Sequence, residues 1–186
     1  MIPNTRALLL LSSLIGVPLA MAGALHANET SARSPVSQAD EQFIHKAAAG
    51  GIAEVEMAKL AANRTASPQV KQFAERMIVD HGMANQKLEK LAAGRGITIS
   101  TTLDAEHQTK LEELAKESGS AFDWQYMKAQ VAGHEKMQAL LEDEAKATKD
   151  PSLKRFAQET LPTVEAHHRM AEDVQKNIAA AQASAQ

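Results

Sequence analysis

The amino-acid sequence predicts an all-α protein: four long helices in two antiparallel hairpins, joined by a long crossover that holds one short helix. Three observations carry that expectation. Apolar residues recur at steps of three and four through four separate segments, the spacing that keeps one helical face turned to a partner. Two segments open with a capping residue followed by proline, Ser67-Pro68 and Asp150-Pro151, at the first helical position, where the missing N–H costs nothing. Aromatic residues make up only 3% of the chain while alanine is abundant, and alanine favours helix and lets helices approach closely.

The chain opens with a leader. Arg6 is followed by an apolar run from Ala7 to about Ala20, then by small-residue cleavage options ending at Ala22 and Ala27. Residues 1–27 therefore read as a secretory signal peptide and the protein as periplasmic or secreted, since the run is shorter than the roughly 20 residues of a spanning helix. An uncleaved N-terminal anchor is the competing reading. Every later apolar stretch is interrupted by charge, so no stable membrane span is expected after processing. Residues 28–37, NETSARSPVS, read as a flexible linker.

The first long helix is expected from Gln38, capped by Ser37, to about Ala62, with Phe43, Ala47, Gly50, Glu54, Ala58 and Ala61 facing inward. The second runs from Pro68 to about Ala93, where Gly94 and Gly96 end it, and its inward row is Val70, Phe73, Met77, His81, Ala84, Leu88 and Leu91. A crossover of about 25 residues follows, with a short helix over 104–117. The third long helix begins near Ser120 and ends near Thr148, with the row Asp123, Met127, Gln130, His134, Met137 and Leu141. The fourth runs from Pro151 to about Ala180, with Leu153, Phe156, Thr160, Val164, His167, Ala171 and Val174 inward and Pro162 expected to kink it. Residues 182–186 should fray. Short turns force antiparallel neighbours, and two hairpins with one long crossover have the connectivity of a ferritin-like four-helix bundle, here over 38–181. SPQVKQFAERM and DPSLKRFAQET share cap, proline, aliphatic residue, lysine and Phe-Ala at matching offsets, which supports two related hairpins.

Composition narrows the function. Charge is nearly balanced, 20 Lys and Arg against 23 Asp and Glu, with no basic block, so nucleic acid is not an expected partner. Without cysteine the chain offers no disulfide, no thiolate nucleophile and no thiolate ligands for an iron–sulfur cluster. It shows no nucleophilic triad, glycine-rich phosphate loop or dinucleotide fingerprint, so the balance leans against an enzyme.

The inward rows carry polar residues: Glu54, His81, Gln130, His134 and His167. Buried polar groups need partners. These would satisfy one another, or would bind a transition metal such as Fe, Zn, Cu or Ni. Counted from their shared turn, His134 and His167 fall within about 3 Å in level, whereas Glu54 and His81 differ by about 7 Å, so Glu54 is expected to face Met77 or Asp80. Glu165-x-x-His168 resembles a di-iron element but occurs once, with Ile78 where its counterpart glutamate would be, so a full di-iron carboxylate site is not expected. His45, His107 and the run Glu142-Asp143-Glu144 read as solvated surface, and Trp124 and Tyr126 as packing against the crossover.

Four motifs in order, FIHKAAAGGIAEVEMAKLA, VKQFAERMIVDHGMANQKLEKLA, FDWQYMKAQVAGHEKM and LKRFAQETLPTVEAHHRMA, resemble the bacterial domain-of-unknown-function 4142 family, from about Gln38 to Ala180. The resemblance implies a ferritin-like, exported protein. It matches the family pattern at Glu54, at Asp80 and His81, at Tyr126, Gln130 and His134, and at Leu161, Pro162 and His167. Two functions follow as expectations. One is metal binding, with His81, His134 and His167 as ligands and Glu54 or Asp80 as ligand or support. The other is a non-catalytic envelope stress or interaction protein whose polar core network fixes helix register.

Overall fold

The computed structural model describes residues 36–184; the expected signal peptide and most of the linker lie outside them, as do residues 185 and 186. The described chain is all-helical, with no strand: α1 (Gln38–Arg64), α2 (Pro68–Ala93), α3 (Ala105–Lys116), α4 (Gly119–Ala147) and α5 (Pro151–Ser184). No helix among the described residues is long and apolar enough to cross a membrane.

Helix starts follow the cap chemistry. The Ser37 side chain accepts from the Asp40 N–H at 3.1 Å, and Asp104 accepts from the His107 N–H at 2.8 Å. Asp150 accepts from the N–H groups of Ser152 at 2.8 Å and Leu153 at 3.1 Å, with Pro151 opening α5 behind it. Pro162 lies inside α5, which continues unbroken to Ser184, so residues 182–184 are helical where the sequence suggests fraying.

The three-residue connections after α1 and α4 make α1/α2 and α4/α5 antiparallel pairs, and the most extensive packing lies within each pair. Across the pairs α1 meets α4 and α2 meets α5, while α3 lies over α1 and α4. Arg64, ending α1, donates to the Ala115 carbonyl and holds α3 in place. Arg95, just past α2, crosses to Asp150 through hydrogen bonds of 2.7–2.9 Å with its own side chain almost wholly buried. This bidentate pair ties the end of one hairpin to the second hairpin's turn.

The interior forms two apolar clusters. One gathers Met57, Val70, Phe73, Met77, Phe122, Tyr126 and Met127 near the α1–α2 turn, with Leu103, Leu111 and Leu114 of the crossover packed on it. The other gathers Phe43, Ile44, Leu88, Leu141, Leu153, Phe156 and Val164 at the opposite end. Along each inward row the histidine lies between them: Met77–His81–Leu88, Met127–His134–Leu141 and Val164–His167–Ala171. A polar layer therefore divides the core.

Leu153 is fully buried in the second cluster. Leu153→Ala should cost about 2–5 kcal/mol through lost burial and the cavity left behind. The measurement is the urea midpoint at unchanged slope; a loss below about 1 kcal/mol would contradict the packing described.

Candidate metal centre

The layer is built from one residue per helix on α2, α4 and α5. Steps of three, four or seven residues from neighbouring core positions turn His81, His134 and His167 inward. All three are buried. Their ring centroids form a nearly equilateral triangle: 5.3 Å for His81–His134, 5.4 Å for His81–His167 and 5.4 Å for His134–His167. Each offers a ligand nitrogen, and these atoms lie within 4.8 Å of one another, so the three could hold a metal ion.

Hydrogen bonds fix which nitrogens are free. His134 Nδ1 sits 2.8 Å from the Gln130 carbonyl, which can only accept, so Nδ1 carries the proton and Nε2 the lone pair. His167 Nε2 sits 2.8 Å from Asp80 Oδ2. Burial pushes the Asp80 carboxyl up, but its hydrogen bonds to His167 and Arg76 outweigh this and hold it below its usual range, so it is an anion that accepts. His167 Nδ1, buried and without a hydrogen-bond partner, then holds the second lone pair. His81 Nε2 faces His134 Nε2 at 3.3 Å. Two imidazole nitrogens on one tetrahedral zinc, each about 2.0–2.1 Å from it, are about 3.3 Å apart.

The rings are neutral at pH 7. Burial, reinforced by the neighbouring imidazoles, pushes His81 down to about 3, and burial pushes His134 down to about 4 against the raising effect of the Gln130 carbonyl. Burial also lowers His167, partly offset by Asp80. Neutral imidazole is the ligand form. Beside His81 lies a cavity of about 20 Å³ also lined by Asn85 and Thr160, room for about one water.

Of the sequence candidates, His81, His134 and His167 converge. Asp80 stands behind His167, partly exposed and paired with Arg76 at 3.2 Å. Glu54 does not join them. It lies against α4 rather than against Met77 or Asp80: a Cβ placed on Gly133 would come within 2.5 Å of Glu54 Oε1, so a side chain there would force the carboxyl to shift. Burial pushes its carboxyl up to about 8, and the nearby Gln130 amide pulls the other way without closing a hydrogen bond of ordinary geometry. Burial, then Glu54, raises Tyr126 as well.

Glu144 corrects the surface reading of the 142–144 run. It is buried and faces Asp40 of α1, and burial followed by the Asp40 charge pushes it up to about 7. A signal was available, because continuing the inward row from Leu141 by three and then four residues reaches Glu144 and Thr148, both buried.

A family model described as "Domain of unknown function (DUF4142)" matches residues 25–174. No curated protein matches. Among solved structures, one described as a "DUF305 fragment from Deinococcus radiodurans" is similar with a TM-score of 0.69 at 15% identity, over 77% of this chain and 99% of that one. At that identity the likeness is one of fold.

Glu54 stays protonated in the folded chain up to about pH 8, but ionises near 4.5 when unfolded. Between those values the native state binds the extra proton, so this residue's contribution is full below pH 4.5 and falls as pH rises through 8. Glu54→Gln should reduce the loss of stability between pH 5 and pH 8, read as urea midpoints at both pH values. Equal midpoint changes in variant and wild type would contradict the burial of a protonated carboxyl.

Proposed function

The chain belongs to the DUF4142 family, and from that premise we propose that it is an exported, ferritin-like four-helix bundle that binds one transition-metal ion through His81, His134 and His167. The observation that carries the reading is the set of lone pairs. In a purely structural network His81 can donate to His134, but His167 Nδ1 remains buried with nothing to bond. A metal ion engages all three nitrogens at once.

Zinc, copper and iron all accept imidazole, and a set of three converging histidines with no carboxylate among them favours zinc or copper over a carboxylate-rich iron site. Asp80 and the Gln130 carbonyl would act as supports, orienting His167 and His134 and raising their basicity. Export rests on the leader read in residues 1–27. The ferritin-like reading rests on the two hairpins and the long crossover.

Untagged protein stripped of metal and titrated with Co(II), Zn(II) or Cu(II) should bind one ion per chain with a rise in melting temperature. His134→Ala should abolish this, and Asp80→Ala should weaken it by about 10–100-fold. If no metal binds stoichiometrically to folded protein, the structural network is the remaining account.

A further inference from the structure

A second chemical feature lies on the other side of α4. Between α1, α3 and α4 is a cavity of about 550 Å³, within the range of small-molecule sites. Its lining is graded. Ala53, Met57 and Glu54 are its buried residues, whereas Lys46, Lys110, Lys136, Asp104 and Glu106 are exposed. Side chains would close part of this space at two glycines: a Cβ on Gly50 would come within 2.8 Å of Met137 Cε, and one on Gly133 within 2.5 Å of Glu54 Oε1.

The two polar ends differ in kind. Glu54 is only 6% exposed, and its Oε2 has no hydrogen-bond partner. Its carboxyl is held neutral by burial, so it can both donate and accept a hydrogen bond. At the exposed end three lysines face two carboxylates. Lys110 is paired with Glu106 and His107 with Asp104. Lys46 and Lys136 form no salt bridge among the described residues, although Lys136 helps to lower Glu106. Apolar walls separate a buried hydrogen-bonding group from a cationic rim.

We propose that this cavity is a ligand site for a small organic acid whose carboxylate meets Lys46 and Lys136 at the mouth and whose far end carries a hydroxyl or carbonyl for Glu54. The apolar middle of such a molecule would lie along Ala53, Met57 and Met137. The bound group would meet the Glu54 carboxyl where it lines the cavity, and an acid lacking that group would make no such contact. The site is separate from the histidine triangle and does not depend on a metal there.

Isothermal titration with three probes tests the inference: 3-(4-hydroxyphenyl)propionate, 3-phenylpropionate and the methyl ester of the first. The hydroxylated acid should bind once per chain, about ten-fold tighter than either analogue. Glu54→Leu should remove the preference for the hydroxyl. Lys46→Glu with Lys136→Glu, both at exposed positions, should weaken the acid by about ten-fold without disturbing the fold. Absence of binding by all three probes, equal binding by all three, or unchanged affinity in the charge-reversed variant would each overturn the proposal. Metal stoichiometry measured in parallel reports only on the histidines, so the two readings stand or fall separately.

Discussion

An imidazole removed from water must give up its charge or find an opposite one. At the junction of the two apolar clusters all three imidazoles do the former, and His167 has a carboxylate beside it as well. That constraint reaches through the fold. A one-turn slip of α2, α4 or α5 would drive an imidazole into an apolar cluster and break the cross-helix contacts of His81 with His134 or of His167 with Asp80. Alanine-rich helices have few large side chains with which to specify register, so a polar layer that fits at one level supplies what ridges and grooves alone would leave loose.

Gln130 joins the two halves of that layer. Its backbone carbonyl accepts the hydrogen bond from His134 Nδ1–H, and its side-chain amide faces the Glu54 carboxyl. The two halves solve burial in opposite ways. The histidines are neutral because they have lost a proton, whereas Glu54 is neutral because it has kept one. At neutral pH the layer of His81, His134, His167 and Glu54 is therefore nearly free of net charge, although it is built from ionisable residues. Charge is left to Asp80, at the boundary with solvent, where Arg76 and His167 both reach it.

The helices and the convergence of the histidines were legible because they rest on local periodicity. Steps of three and four placed His81, His134 and His167 inward, and counting from the Thr148–Asp150 turn set His134 level with His167, as their 5.4 Å ring separation bears out. Glu54 was misplaced because level was counted against α2, its neighbour along the chain, whereas the partner that accommodates it is Gly133, across the fold on α4. No turn joins α1 to α4, so chain counting has no origin for that contact. Glu144 was lost for a different reason. Three consecutive acids suggest solvent, and composition outweighed a row that continued through it. The tie from Arg95 to Asp150 also joins residues far apart in the chain, and neither carries a periodic signal.

The placement of the ligand nitrogens on two hairpins has an energetic consequence. Each hairpin is held by extensive packing along its length, but the hairpins meet over the smaller α1–α4 and α2–α5 faces, and the long crossover does little to fix their distance. His81 belongs to the first hairpin, and His134 and His167 to the second. Asp80 reaches across in the same sense, from α2 to His167 on α5. An ion shared by the three rings would act mainly on the docking of one hairpin against the other, adding to the Arg95–Asp150 pair at the far end. Its binding free energy would appear as resistance to hairpin separation. The helices themselves, capped and packed within each pair, would gain little from it.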